Sequence, residues 1–114
     1  MATGTIKSAF ENINTLSPAS STITLSSYTC KTILGVMCLV QFEFSSTSAI
    51  PDYTSIITGL PVPTDTANLV GLVNSGAMVQ LFVDRSSTTT PGHLKSRGSI
   101  AANTVIRIGA VYAL

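Results

Sequence analysis

The chain is poor in charge. Of its 114 residues only 10% are Asp, Glu, Lys or Arg, there is one histidine, and tryptophan is absent. Lys7, Lys31, Arg85, Lys95, Arg97 and Arg107 leave a formal charge of +1 and form no basic stripe of the kind that neutralises a phosphate backbone, so nucleic acid is not an expected partner. The closest pair, Lys95 and Arg97 in HLKSRG, reads as a solvated strand edge, where lysine also discourages unwanted pairing. Long apolar runs are missing as well. A membrane-crossing helix needs about 20 apolar residues, and the longest uncharged candidate, TANLVGLVNSGAMVQLFV over 66–83, is cut by Asn74, Ser75 and Gly76. No membrane insertion is expected. The opening MATGTIKSAFENIN carries Lys7 and Glu11 where a signal peptide requires apolar residues, so no secretory signal is expected either.

The groups that catalysis requires are scarce. No HExxH, CxxC, P-loop or GxGxxG spacing occurs, and Glu11, Glu43, Asp52, Asp65 and Asp84 are scattered without a pairing motif that suggests glycoside hydrolysis. A Ser-His-Asp set can be drawn through His93 and Asp84, but such a drawing is possible in nearly any sequence, and His93 follows a Pro-Gly turn as an ordinary loop residue does. The reading is a non-enzyme without metal or cofactor; a hydrolase using Asp65 or Asp84 is the alternative. Cysteine is limited to Cys30 and Cys38. In one continuous strand, rising about 3.3 Å per residue, their Cα atoms stand roughly 26 Å apart, far beyond the ~7 Å limit of a disulfide. They are expected to be inert core thiols of a protein made in a reducing cytoplasm; a hairpin near Gly35 would be needed to join them.

What is present is apolar and hydroxylated. Hydrophobic residues make up 45% of the chain and the mean hydropathy is +0.46, while 15 serines and 16 threonines supply the polar surface. Threonine, valine and isoleucine favour strands over helices. Alternation predicts strands over 5–10 and around Ile23 and Leu25, then a long one over 32–44 with Val36, Cys38, Val40, Phe42 and Phe44 on one face and Met37, Leu39, Gln41 and Glu43 on the other. A short strand over 53–58 follows the SSTSAIPDY loop. GLPVP, 59–63, reads as a surface crossing or sheet edge, because two prolines remove two donors. Residues 68–73 and 77–83 predict a hairpin turning at Asn74-Ser75-Gly76. A weak strand or turn in GHLKSRGSI and a closing strand in NTVIRIGAVYAL complete the set. Seven or eight such strands in one domain spanning 1–114 imply an all-β fold, an antiparallel β-sandwich of jelly-roll type.

A sandwich buries one face of each strand, yet Met37, Leu39, Met78 and Phe82 fall on outer faces. Apolar surface of that extent marks an interface, and a second copy of the chain is the expected partner; the bland alternative is a crowded barrel whose loops cover these residues. For binding, the loops offer Asp52 and Tyr53, Asp65, and Asp84, Arg85 and His93. Carboxylates, a guanidinium and a tyrosine ring hydrogen-bond sugar hydroxyls and stack on pyranose rings, although Asp52 and Asp65 equally suit the capping of their own turns.

The closing segment GSIAANTVIRIGAVYAL places Ile100-Ala101-Ala102-Asn103-Thr104 as a turn, then Val105-Ile106-Arg107 and a last strand with Tyr112. Together with GLPVP this resembles the C-terminal head domains of bacteriophage tail-fibre, baseplate and minor structural proteins. The resemblance implies a homotrimeric β-sandwich on the virion, the C-terminal fragment of a longer fibrous protein, that recognises a host-surface saccharide. It assigns no receptor contact to a residue. A structural trimerisation or capping domain without ligand, and a lectin-like bacterial carbohydrate-binding domain, are the alternatives.

Overall fold

The computed structural model describes residues 10–114, and every regular element among them is a strand. These are β1 (Phe10–Asn12), β2 (Ser17–Pro18), β3 (Ile23–Ile33), β4 (Met37–Ser46), β5 (Ser55–Thr58), β6 (Ala67–Val73), β7 (Met78–Val83), β8 (Leu94–Ser96) and β9 (Ile106–Ala113). They form one antiparallel sheet in the order β1-β3-β4-β9-β6-β7-β8-β5-β2, which curls so that its inner face encloses a single core. The all-β antiparallel expectation holds. The strand expected over 5–10 lies outside the described residues apart from Phe10.

Closure of the sheet comes from one stretch of chain. β1 pairs with the end of β3, Ile13 N donates to Cys30 O at 2.8 Å, and Leu16 is buried. Then β2 pairs with β5, and Ala19 N donates to Ile56 O at 2.9 Å. Residues 10–19 thus reach both lateral edges of the sheet and leave it ending in two very short strands, which offer little template for edge pairing.

The largest departure from expectation is at 32–44. The apolar run is two strands, because Leu34 (φ 53°) and Gly35 (φ 69°) turn the chain with both central residues left-handed, and Val36 N donates to Ile33 O at 3.0 Å. Cys30 and Cys38 are therefore neighbours across the β3–β4 hairpin rather than far apart, with sulfurs 3.7 Å apart, both free and buried. Their hydrogen bond, burial and the adjacent sulfur push the Cys30 thiol well up. The β6–β7 hairpin, by contrast, turns where expected: Gly76 has φ 89° and its N–H donates to Val73 O at 2.8 Å.

Inner positions alternate along β4, while β5 and β7 bury adjacent residues. Cys38, Val40, Phe42 and Phe44 of β4 meet Ile106, Ile108 and Tyr112 of β9, Leu69 of β6, and Leu81 and Val83 of β7 in the core. Each large side chain so buried contributes about 1.5–3 kcal/mol. GLPVP runs outside the named strands with Gly59 and Val62 exposed, and it is anchored to the body of the domain: Leu60 and Pro63 are buried, and the Tyr112 hydroxyl donates to Pro61 O at 2.8 Å. On the outer face Met37 (41%), Leu39 (38%) and Met78 (72%) are exposed as expected. Phe82 is not. It is 3% exposed, because side chains of the same chain cover its ring.

Candidate functional site

β8 lies between β7 and β5, so Lys95 and Arg97 guard no edge, contrary to the solvated-edge reading. Leu94 and Ser96 point inward and are fully buried, which turns His93, Lys95 and Arg97 outward. Arg97 lays its guanidinium over Phe82, 4.2 Å from the ring centroid. Its Nε donates to Asn68 Oδ1 at 3.2 Å and its Nη1 to the Tyr53 hydroxyl at 3.3 Å. Tyr53 in turn stands edge-on to Phe82, centroids 5.4 Å apart at 64°. A guanidinium so held has lost most of its rotamer freedom before any ligand arrives.

Tyr53 has φ 60°, a left-handed conformation that costs a bulky residue about 1–3 kcal/mol and persists only where surrounding bonds enforce it. They are present. Tyr53 N donates to Ser96 O at 2.9 Å, Ser96 Oγ to Pro51 O at 2.9 Å, and Gly98 N to Asp52 Oδ1 at 2.6 Å. Asp52 is thus the clamp of the turn, and the turn presents an exposed tyrosine ring beside Arg97. Next to this group a shallow depression of about 210 Å³ is lined by Asn68, Leu69, Val70, Gln80, Leu81 and Arg97. It has room for one sugar ring.

The other expected site residues are wired differently. Asp84 receives Lys95 Nζ at 2.8 Å and the Ser86 N–H at 3.0 Å, and both members of the ion pair are nearly covered. The Lys95 ammonium holds the Asp84 carboxyl below the ordinary carboxylate range. His93 Nδ1 meets Ser55 Oγ at 3.0 Å; burial, with Lys95 adding to it, lowers its pKa against the pull of Asp84. A Ser-His-Asp relay needs the imidazole between hydroxyl and carboxylate, whereas this carboxylate engages Lys95 and its own turn. Asp65 and Arg85 face each other at 3.7 Å in open solvent, placed there by the Ala67↔Val83 register, and such pairs contribute little. Tyr53 therefore belongs to the cluster, Asp52 supports it, Asp84 and His93 adjoin it through Lys95, and Asp65 and Arg85 stand apart. Asn68, Gln80 and Arg97 were missed as site residues; the alternation of HLKSRG signalled Arg97 alone, and Asn68 and Gln80 join it only through strand pairing.

A second depression, about 370 Å³, opens beside the bulge of β3 and is lined by Tyr28, Thr29, Gln41, Phe42, Glu43 and Arg107. Its guanidinium already has a carboxylate: Arg107 Nε donates to Glu43 Oε1 at 3.2 Å. Among the described residues no group of three or more His, Cys, Asp or Glu could hold a metal ion. Compared with family models and with curated proteins, the chain matches none.

Proposed function

We propose that this domain is a recognition module of the bacteriophage tail-fibre or baseplate head type, a self-associating, non-enzymatic β-domain that binds a saccharide of the host surface. The observation that carries the proposal is the Tyr53–Phe82–Arg97 stack at the rim of a one-ring depression. Strained backbone is used to present an aromatic ring and a fixed guanidinium, the groups that recognise a sugar's faces and hydroxyls. Self-association is supported by an apolar patch at the β3–β4 hairpin end, where Phe10, Leu34, Val36, Met37, Leu39 and Val111 are all exposed. The patch is contiguous, since Phe10 pairs with Ile33, Ile33 with Met37, and Leu39 with Val111. The closing segment that carries the phage resemblance forms a tied turn, with Asn103 N donating to Ser46 O at 2.7 Å, and then β9.

The test is a glycan array probed with the isolated domain and with Tyr53→Ala. The variant should still melt cooperatively, at a somewhat lower temperature because alanine keeps the left-handed strain and gives up the contacts to Arg97 and Phe82, and should lose the glycans that the parent selects. If the parent selects none, the saccharide reading falls and the domain is a trimerisation or capping element.

A further inference from the structure

We infer that the saccharide is acidic, a pyranose bearing one carboxylate, and that the carboxylate pairs with Arg97. This deepens the saccharide reading and rests on it. The chain has three arginines. Arg85 faces Asp65 at 3.7 Å and Arg107 faces Glu43 at 3.2 Å, and Lys95 has Asp84 at 2.8 Å. Arg97 alone of the arginines has only neutral partners among the described residues: an amide oxygen, a phenol and a ring face. Asp52, on the turn that carries Tyr53, is turned onto the Gly98 N–H.

A guanidinium stays charged at any working pH and carries five N–H donors, of which the two bonds to Asn68 and Tyr53 engage two. The remaining donors have no carboxylate of their own, and the planar fork matches an incoming carboxylate with two parallel bonds. The adjoining depression fits the rest of a sugar. Asn68 and Gln80 offer amide donors and acceptors for hydroxyls, and exposed Val70 offers an apolar surface for the C–H face of the ring. Among the described residues Arg97 is the one cation lining the depression, and the neighbouring Lys95 is already paired with Asp84, which suits a single negative charge on a ring, not a free multivalent anion.

The experiment titrates the domain with methyl glucuronide, its neutral counterpart methyl glucoside, and inorganic phosphate, reading amide shifts of Asn68, Gln80 and Arg97 by NMR. The glucuronide should bind about 10- to 100-fold more tightly than the glucoside, the contribution of a charge-assisted bidentate pair. Arg97→Lys, which keeps the charge and loses the fork, should remove most of that preference. Gln80→Ala, away from the Phe82 cover, should weaken both sugars alike. Equal binding of the two sugars overturns the acidic inference and leaves the saccharide reading standing. Binding of neither overturns both. Phosphate binding as tightly as the glucuronide, or a full preference retained in Arg97→Lys, also overturns the inference.

Discussion

Leu39→Asp should convert the domain from an oligomer to a folded monomer. The six exposed residues of the hairpin-end patch range from 38% exposure at Leu39 to 67% at Phe10. Full burial of a large apolar side chain is worth about 1.5–3 kcal/mol, so covering what is left bare yields about 1 kcal/mol each and roughly 6 kcal/mol per copy. Two facing patches then give about 12 kcal/mol, against the ~4–15 kcal/mol that association costs in lost freedom and ordering. Self-association sits near its balance point, where one substitution decides the outcome. Aspartate at 39 removes one apolar contribution and adds a carboxylate to be desolvated, about 3–5 kcal/mol per contact, or about 10²- to 10⁴-fold in affinity. Within one chain the same change is close to neutral, because Leu39 faces outward and its cross-strand neighbour is Lys31. Light scattering at micromolar concentration should show the parent at oligomeric mass and the variant at monomeric mass, with coincident thermal melts. A variant of unchanged mass, or a parent monomeric across the range, would refute the reasoning.

Other consequences can be checked on the isolated domain. The lowered pKa of His93 means that the unfolded chain binds its proton more readily, so its share of stability is full above about pH 6.5 and declines as pH falls below it. Asp84, lowered by Lys95, contributes stability present above about pH 4 and lost as pH falls through its folded value. Urea midpoints should therefore fall in two stages, the upper one absent in His93→Gln and the lower one in Asp84→Asn. Gly92→Ala should cost about 2 kcal/mol or more by loss of chemical-denaturation midpoint, since φ is 76° and a Cβ would strike the Leu60 carbonyl oxygen. Cys30 and Cys38, both buried, should react with a thiol reagent only after unfolding.

What could be read in the sequence was local. Asn74-Ser75-Gly76 announced its hairpin because the turn demands residues that tolerate positive φ, and β4's inward set from Cys38 to Phe44 followed from period-two alternation alone. Leu34-Gly35 announced nothing, since the turn is made with a leucine in the left-handed region inside an unbroken apolar run. That single hidden turn also misplaced the two cysteines. Alternation gave the parity of Phe82 correctly, but parity says only which face a residue occupies, not what lies over it. Arg97 and Tyr53, 44 positions apart, cover it through a strand order that no local pattern encodes. The same order makes β8 an interior strand and changes the meaning of Lys95 and Arg97.

On the proposed reading, the two exposed features are linked by avidity. Strand order puts β9 and β6 between Leu39 on β4 and Phe82 on β7, three strand spacings or about 14 Å along the sheet, so a second copy centred on Leu39 and the hairpin end has room to leave the Arg97 cluster open. A single ring in an open depression gains only about 0.3 kcal/mol per heavy atom, or about 4 kcal/mol for one hexuronate, which corresponds to a millimolar Kd. Useful adhesion then depends on several sites acting together, where linkage raises affinity by about 10²- to 10⁴-fold without any new contact. Leu39→Asp, which touches none of the residues at Arg97, should bind methyl glucuronide as the parent does and yet lose the parent's retention on a surface densely coated with the same sugar. If the monomeric variant holds such a surface as firmly as the parent, the sites do not act together, and the apolar patch has a purpose other than assembling them.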